Sequence, residues 1–521
     1  MNRRFYITTA IDYANGDPHQ GHAFEKIGAD AIARYHRLTG DEVRFCMGMD
    51  EHGQKVAQTA AARGIEPQQL VDELAGRFEA MWKRLDISND RWVRTTQPHH
   101  KRGVKALIER ILERNPDDVY EKTYEGWYCV GCELFKRDDE IRDGHCVLHP
   151  TRELQWTEER NFFFRLTRYQ DFLRAHFEAH PDFLLPVSRR NEMLALMDGG
   201  LEDISVTRAR LSWAIPFPKT TSDGETQGTW VWFDALPNYL TDTGFPDEGY
   251  EAWWPAQLHV VGKDIVRLHS IVWPAMLQSA GLPLPERVWG HGFVLLGGGK
   301  ISKSSQPVVG DGSTPAPAGL DLGQAIDRFG PDAFRYFLLR EVPWDADGNF
   351  SWERFVERYT SELANGLGNL ASRTTSMLAK YRDGAVPASP VEADEAIGRA
   401  VEAYRAAMDA NLLHEGAAAA YEVVRHANAL VAEREPWKVA KDPARADELD
   451  LTLSAMTRYL AAAATLLSPF MPGKMRDLWE RLGSGRDSLP SLDELATLDV
   501  SGWKTSAGGI LFPRPEVAAP A

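Results

Sequence analysis

The chain has 521 residues, 43% hydrophobic and 26% charged, with 42 Gly and 30 Pro, which excludes intrinsic disorder and leaves room for about three folded units. Lys plus Arg number 59 against 75 Asp plus Glu, a formal charge of −16, which excludes a polybasic or histone-like protein but allows a local basic face that steers RNA. No stretch approaches the roughly 18–20 apolar residues of a membrane span, and Asp12 interrupts the N-terminal run before it could act as a signal segment, so a cytoplasmic protein without a membrane partner is expected.

In chain order, residues 5–11 are rich in β-branched and aromatic types and read as a strand. The breaker cluster Asn15-Gly16-Asp17-Pro18 follows, then a helical pattern carrying Ile27, Ala31, Ile32 and Tyr35 that stops at Gly40. Residues 42–47 read as a second strand. Such a βαβ start implies a parallel sheet with its ligand site beyond the strand C-termini, where the loop 15–22 lies. Residues 118–225 break the alternation with a cysteine cluster, aromatic strands such as 161–166 and few long helices, and read as an insertion. Strand signals resume at 229–233 and 259–261, with a helical run at 268–278. Residues 297–323 form a long Gly- and Pro-rich loop, and from 356 to 468 the pattern is all helical, as in a bundle.

Two short segments carry chemistry. His19-Gln20-Gly21-His22 places two imidazoles about a glycine where a loop enters a helix, and free amides, helix dipole and imidazole donors together suit a phosphate. Lys300-Ile301-Ser302-Lys303-Ser304 offers two cations and interleaved hydroxyls that could clamp a polyphosphate. It is no Walker A loop, since Val294 stands where the first Gly belongs and Ile301 where Ser or Thr belongs. Three of the four cysteines cluster, and Cys129-x2-Cys132-x13-Cys146-x2-His149 supplies four soft ligands in paired spacing for a structural Zn²⁺, with His145 as an alternative fourth ligand.

The first two segments resemble the HIGH and KMSKS motifs of class I aminoacyl-tRNA synthetases, in the expected order and separation. Residues 10–16, 48–53, 124–129, 230–235 and 262–265 make the chain similar to the methionyl-tRNA synthetases from about Phe5 to Pro515. Another synthetase of the same class, of cysteinyl or leucyl type, is the nearest alternative, and a non-catalytic tRNA- or zinc-binding descendant is a further one.

The resemblance implies activation of L-methionine with ATP and Mg²⁺, then transfer to tRNA(Met) for protein synthesis. It assigns His19, His22, Lys300 and Lys303 to catalysis, and Gly21, Asp264 and Ser302 to ATP binding with them. Methionine would be held by Ile11, Tyr13, Asp50, Arg208, Trp232, Ala235, Leu236, Tyr239 and His269, with Arg208 pairing with Asp50. Trp230 is expected to pack in the core. Asn369, Arg373 and Trp437 would read the anticodon, an unpaired base stacking on the indole.

The family commonly carries Pro where Leu236 stands and a short turn where residues 306–319 are inserted, and His149 departs from its usual four cysteines. The implied architecture is α/β. A Rossmann-type catalytic domain (1–117 and 226–305) is split by a connective insertion with a metal knuckle (118–225). A signature-loop and stem-contact region (306–355) and an all-α anticodon-binding bundle (356–521) follow. Because the chain ends soon after the bundle, without an appended dimerising domain, a monomer is expected.

Overall fold

The computed structural model describes residues 3–130, 134–136, 138–147, 149–209, 211–296, 299–300, 322–506 and 508–514. β1 (Arg4–Thr9) leads through a loop into α1 (Gln20–Leu38) and β2 (Glu42–Asp50). Next come β3 (Arg91–Arg94), α2 (Pro98–Arg114), β4 (Val119–Cys129), β5 (Leu134–Lys136), β6 (Gln155–Phe164), β7 (Leu184–Leu185), α3 (Val231–Ala235), β8 (Leu258–Gly262) and β9 (Val288–His291).

The main sheet runs β7-β9-β8-β1-β2, with β3 and the two-residue strand Asp12–Tyr13 also pairing with β2, and every pairing is parallel. β1 is buried at five of its six positions, as a strand covered on both faces must be. Residues 5–11 were expected as one strand; β1 ends at Thr9, and the chain then turns so that Tyr13 lies opposite Asp50. Helix α1 packs closely on a neighbouring segment, because a Cβ on Gly28 would overlap the Trp344 ring at 2.1 Å.

Within 118–225 an antiparallel sheet carries β4, β5 and β6, with β4 and β6 in register from Val119↔Phe164 to Tyr128↔Gln155. Two helices, Gln170–Ala179 and Val187–Asp198, also fall there, where few were expected, and Leu184–Leu185 returns to the edge of the main parallel sheet. The segment read as a strand at 229–233 is instead a two-residue strand, Gly228–Thr229, followed by helix α3. Aromatic and β-branched residues lean towards strand, but only helical spacing puts Trp232, Ala235, Leu236 and Tyr239 on one face, and tertiary packing overrides the weak local preference.

The C-terminal region is helical as expected, with α4 (Asn369–Arg382), α5 (Glu395–Asp409), α6 (Leu413–Arg434), α7 (Ala446–Leu466) and α8 (Pro472–Leu482). Its apolar faces join one core with α1. Buried Arg335 ties the two parts together, donating to Asp30 on α1 at 2.6 Å and to the Pro469 and Phe470 carbonyls at 2.9 and 3.2 Å.

Candidate active site

His19 caps α1 in extended backbone, φ −129°. The Gly21 amide donates to His19 Nδ1 at 3.1 Å, and the His19 amide donates to His22 Nδ1 at 3.2 Å. A Cβ on Gly21 would stand 3.0 Å from His19 Cε1, so glycine gives that ring its place. Since both Nδ1 atoms accept, each ring carries its proton on Nε2, which makes it a donor at the positive end of a helix.

Beyond the C-terminal ends of β1, β2 and β8 lies an open cavity, where a parallel sheet places its ligands. Ile11, Tyr13, Asp50, Trp232, Ala235, Leu236, Tyr239 and His269, eight of the nine residues expected around methionine, line it. The Leu236 edge is therefore closed by a leucine side chain. Ile265, the last residue of the 262–265 segment, also lines it, as do Lys55 and Asn238, which the sequence did not single out, although Lys55 follows the 48–53 motif by two positions.

One wall is held neutral. The Tyr239 hydroxyl donates to His269 Nε2 at 2.7 Å while His269 Nδ1 donates to the Ile265 carbonyl at 2.9 Å. Burial pushes His269 down to about 4, outweighing the Ile265 carbonyl and the nearby Glu25 and Asp264, and burial raises Tyr239 well above its usual value.

Two buried charge clusters hold the rest. Lys26 Nζ donates to the Ala10 carbonyl at 2.7 Å and lies 3.0 Å from Asp12 and 2.6 Å from Glu25, fixing the loop that carries Ile11 and Tyr13. Burial opposes its charge, but Asp12 and Glu25 hold it protonated. Behind α3, Asp234 bonds His52 at 2.6 Å and His100 at 3.0 Å. Burial would raise this carboxyl, yet the two imidazoles bring it down to about 2. His52 lies two residues from Asp50, and Asp234 lies between Trp232 and Ala235, so one carboxylate fixes both ends of the cavity.

The family model for class I tRNA synthetases (M) matches residues 5–149 and 136–375. A methionine–tRNA ligase of Rhizobium meliloti is 42% identical over 530 residues, covering 98% of each chain. One of Streptomyces coelicolor is 38% identical and covers 99% of this chain and 97% of its own. This chain belongs to the methionine–tRNA ligases. The solved Mycobacterium tuberculosis methionyl-tRNA synthetase in complex with methionyl-adenylate superposes with a TM-score of 0.90 at 38% identity, over 98% of this chain and 100% of that one.

Within this methionine–tRNA ligase fold, Arg208 lines a second cavity rather than the first. Its Nη1 donates to the Ser205 and Thr207 carbonyls at 3.2 and 2.7 Å and to Ser205 Oγ at 2.9 Å. Asp264 follows β8 and approaches Gly262, where a Cβ would meet its Oδ1 at 2.8 Å. Lys300 is described in backbone only; its strand pairs with Val294–Leu296, which packs on α1. Ser302, Lys303 and the 306–319 insertion lie outside the described residues. Trp230 is 1% exposed, a core residue as expected.

Cys129 and Cys146 are buried, His149 is described in backbone only and pairs across a hairpin with Cys146, and Cys132 lies outside the described residues. His145 Nδ1 engages the Asp143 carbonyl at 2.9 Å. Asn369 and Arg373 lie one turn apart on α4, with Arg373 exposed, and Trp437 is 39% exposed instead of packed in the bundle. Of the cations on α2, Arg102 pairs with Asp247 and Lys105 with Glu109, while Arg94 on β3 meets Glu51 and Asp72. Among the described residues, no helix is long and apolar enough to cross a membrane.

Proposed function

We propose that this chain activates L-methionine with ATP and transfers it to the terminal ribose of tRNA(Met), in the cytoplasm. The observation that carries this reading is the aromatic cavity, whose charged lining residues are Asp50 and Lys55, at the same end of the sheet as a histidine-capped helix. Methionine is long, flexible and polarizable and favours aromatic walls. Tyr13, Trp232 and Tyr239 supply these, the neutral His269 adds an imidazole face, and Asp50 takes the ammonium group. Arg208 acts from the adjoining cavity.

In the first step a methionine carboxylate oxygen attacks the α-phosphorus of ATP, a P–O bond forms, and pyrophosphate leaves. The nucleophile is already ionised, so the protein positions reactants and stabilises charge. His19 and His22 donate from Nε2 to phosphate oxygens as charge develops, Gly21 lets the backbone approach, and Asp264 meets the ribose. Lys303, helped by Lys300 and Ser302, neutralises the departing pyrophosphate. Mg²⁺ would come with ATP rather than occupy a protein cage, and would offset phosphate charge. In the second step a tRNA ribose hydroxyl attacks the methionyl carbonyl, an ester forms, and AMP leaves with the hydroxyl proton.

The domain division given above is kept as part of this reading, with Asn369, Arg373 and Trp437 reading the anticodon. A structural Zn²⁺ fits Cys129, Cys132, Cys146 and His149, which the burial of two thiols and the Cys146↔His149 pairing support. That ion would crosslink the insertion rather than take part in the chemistry. Amino-acid-dependent pyrophosphate exchange tests the activation step on which the reading rests: methionine alone should support it.

A further inference from the structure

Lys26 is fully buried where three segments used by the reaction meet. It belongs to α1, the helix that His19 caps, and lies one turn beyond His22. Its ammonium group reaches the Ala10 carbonyl and Asp12, on either side of Ile11, and Glu25 Oε1 beside it. Glu25 carries the contact onward with its other oxygen. Oε2 lies 3.1 Å from Nε2 of His291 at the end of β9, and His291 Nδ1 donates to the Gly292 carbonyl at 2.7 Å. Two residues later begins the strand Val294–Leu296, which pairs with Gly299–Lys300, where the lysine segment starts.

The series Asp12, Lys26, Glu25, His291 is buried throughout. Burial opposes charge on both inner groups, yet their mutual attraction and their outer partners hold the Glu25 carboxyl low and the Lys26 ammonium high. His291 lies nearly parallel to the Trp344 ring, 5.1 Å between centroids, and meets Phe24 edge-on at 5.7 Å, so aromatic packing keeps it against Glu25. Neither Lys26, Glu25 nor His291 lines the methionine cavity. Apolar side chains of like size could fill the same space at lower desolvation cost. What the charged series adds is a fixed spacing between the loop 10–13 and the root of the lysine segment.

We propose that Lys26 is a positioning residue for the activation step. With Glu25 and His291 it holds the methionine loop, the histidine-capped helix and the root of the lysine segment in one frame, so that filling the methionine cavity also steadies Val294–Leu296. The inference rests on the functional reading above and gives a role to residues outside the cavity.

The test uses the full-length protein with Asp12→Asn, with His291→Phe and with both; each leaves the Lys26–Glu25 pair in place. Methionine-dependent pyrophosphate exchange gives KM for each substrate. His291→Phe should raise KM for methionine, and Asp12→Asn KM for ATP, about fivefold or more, the low end for coupled sites. The double variant should fall short of the product of the two effects by about twofold or more. His291→Gln, which keeps a donor for Glu25, should stay within about twofold of the unsubstituted chain. Effects confined to the nearer substrate, effects that multiply, or a His291→Gln variant as impaired as His291→Phe overturn the proposal. A second measurement needs no substitution and follows backbone amide hydrogen exchange with methionine and without ATP. Protection of residues 288–296 together with 10–13 is expected, and protection of 10–13 alone overturns the proposal. Absence of methionine-dependent pyrophosphate exchange in the unsubstituted chain would instead overturn the functional reading and this inference with it.

Discussion

His19 and His22 stack face to face, 3.8 Å between ring centroids and 19° between planes, with each Nδ1 tied to a backbone amide of their own turn. Two like groups at a helix N-terminus would repel if both were charged, so the arrangement favours neutral rings. We predict that both are Nε2–H tautomers at neutral pH. Imidazole ¹⁵N shifts checked in His19→Asn and His22→Asn backgrounds should show this, and an Nδ1–H tautomer at either position would contradict it.

Much of this was legible in the chain. The spacing of Ile27, Ala31, Ile32 and Tyr35 defines α1, and the paired histidines mark its start, because local backbone chemistry and helical period leave their trace in sequence. The Asp234 cluster leaves less: His52 and Asp234 fall within segments 48–53 and 230–235, but nothing in the sequence pairs them with each other or with His100. Lys26 is silent, since a lysine on an amphipathic helix normally faces water, and only the approach of Asp12 and Glu25 makes its burial tolerable. The aromatic residues of the short helix α3 favour strand locally, and only packing around the cavity demands helical spacing there.

Asp234 should be a stability determinant. Asp234→Ala leaves two buried imidazoles without their shared acceptor, and breaking such a pair costs about 3–5 kcal/mol. Denaturant melts at pH 7 should show a loss of that size. Asp234→Asn, which keeps one acceptor oxygen, should lose less and raise KM for methionine through the displaced Asp50 and Trp232 segments. Equal melts for Asp234→Ala and the unsubstituted chain would contradict this.

His269 gives the stability curve an acid slope. The unfolded imidazole takes up a proton near pH 6.5, and the folded one only near 4, so the unfolded state binds more protons between those values. Stability therefore falls as pH drops through that window. Urea melts at pH 7 and pH 5 should show His269→Gln losing about 2 kcal/mol less than the unsubstituted chain on acidification. An identical acid loss in both would be contrary evidence.

Trp437 is placed to stack a base rather than to build the bundle core. Trp437→Ala should leave methionine-dependent exchange unchanged and raise KM for tRNA roughly 5- to 150-fold, the range for one lost stacking contact. Parallel loss of exchange and charging would point to a structural role instead.

The central claim is that the histidine-capped helix and the aromatic cavity act on one ATP and one methionine, and methionine-dependent pyrophosphate exchange by the unsubstituted chain and by His22→Ala tests it most directly. The account predicts exchange with methionine and with no other amino acid, slowed roughly 10²- to 10³-fold by the substitution, with a cooperative melt retained and only the small loss of a helix cap, about 1 kcal/mol. Equal rates in the two proteins, or exchange driven by a different amino acid, would contradict it.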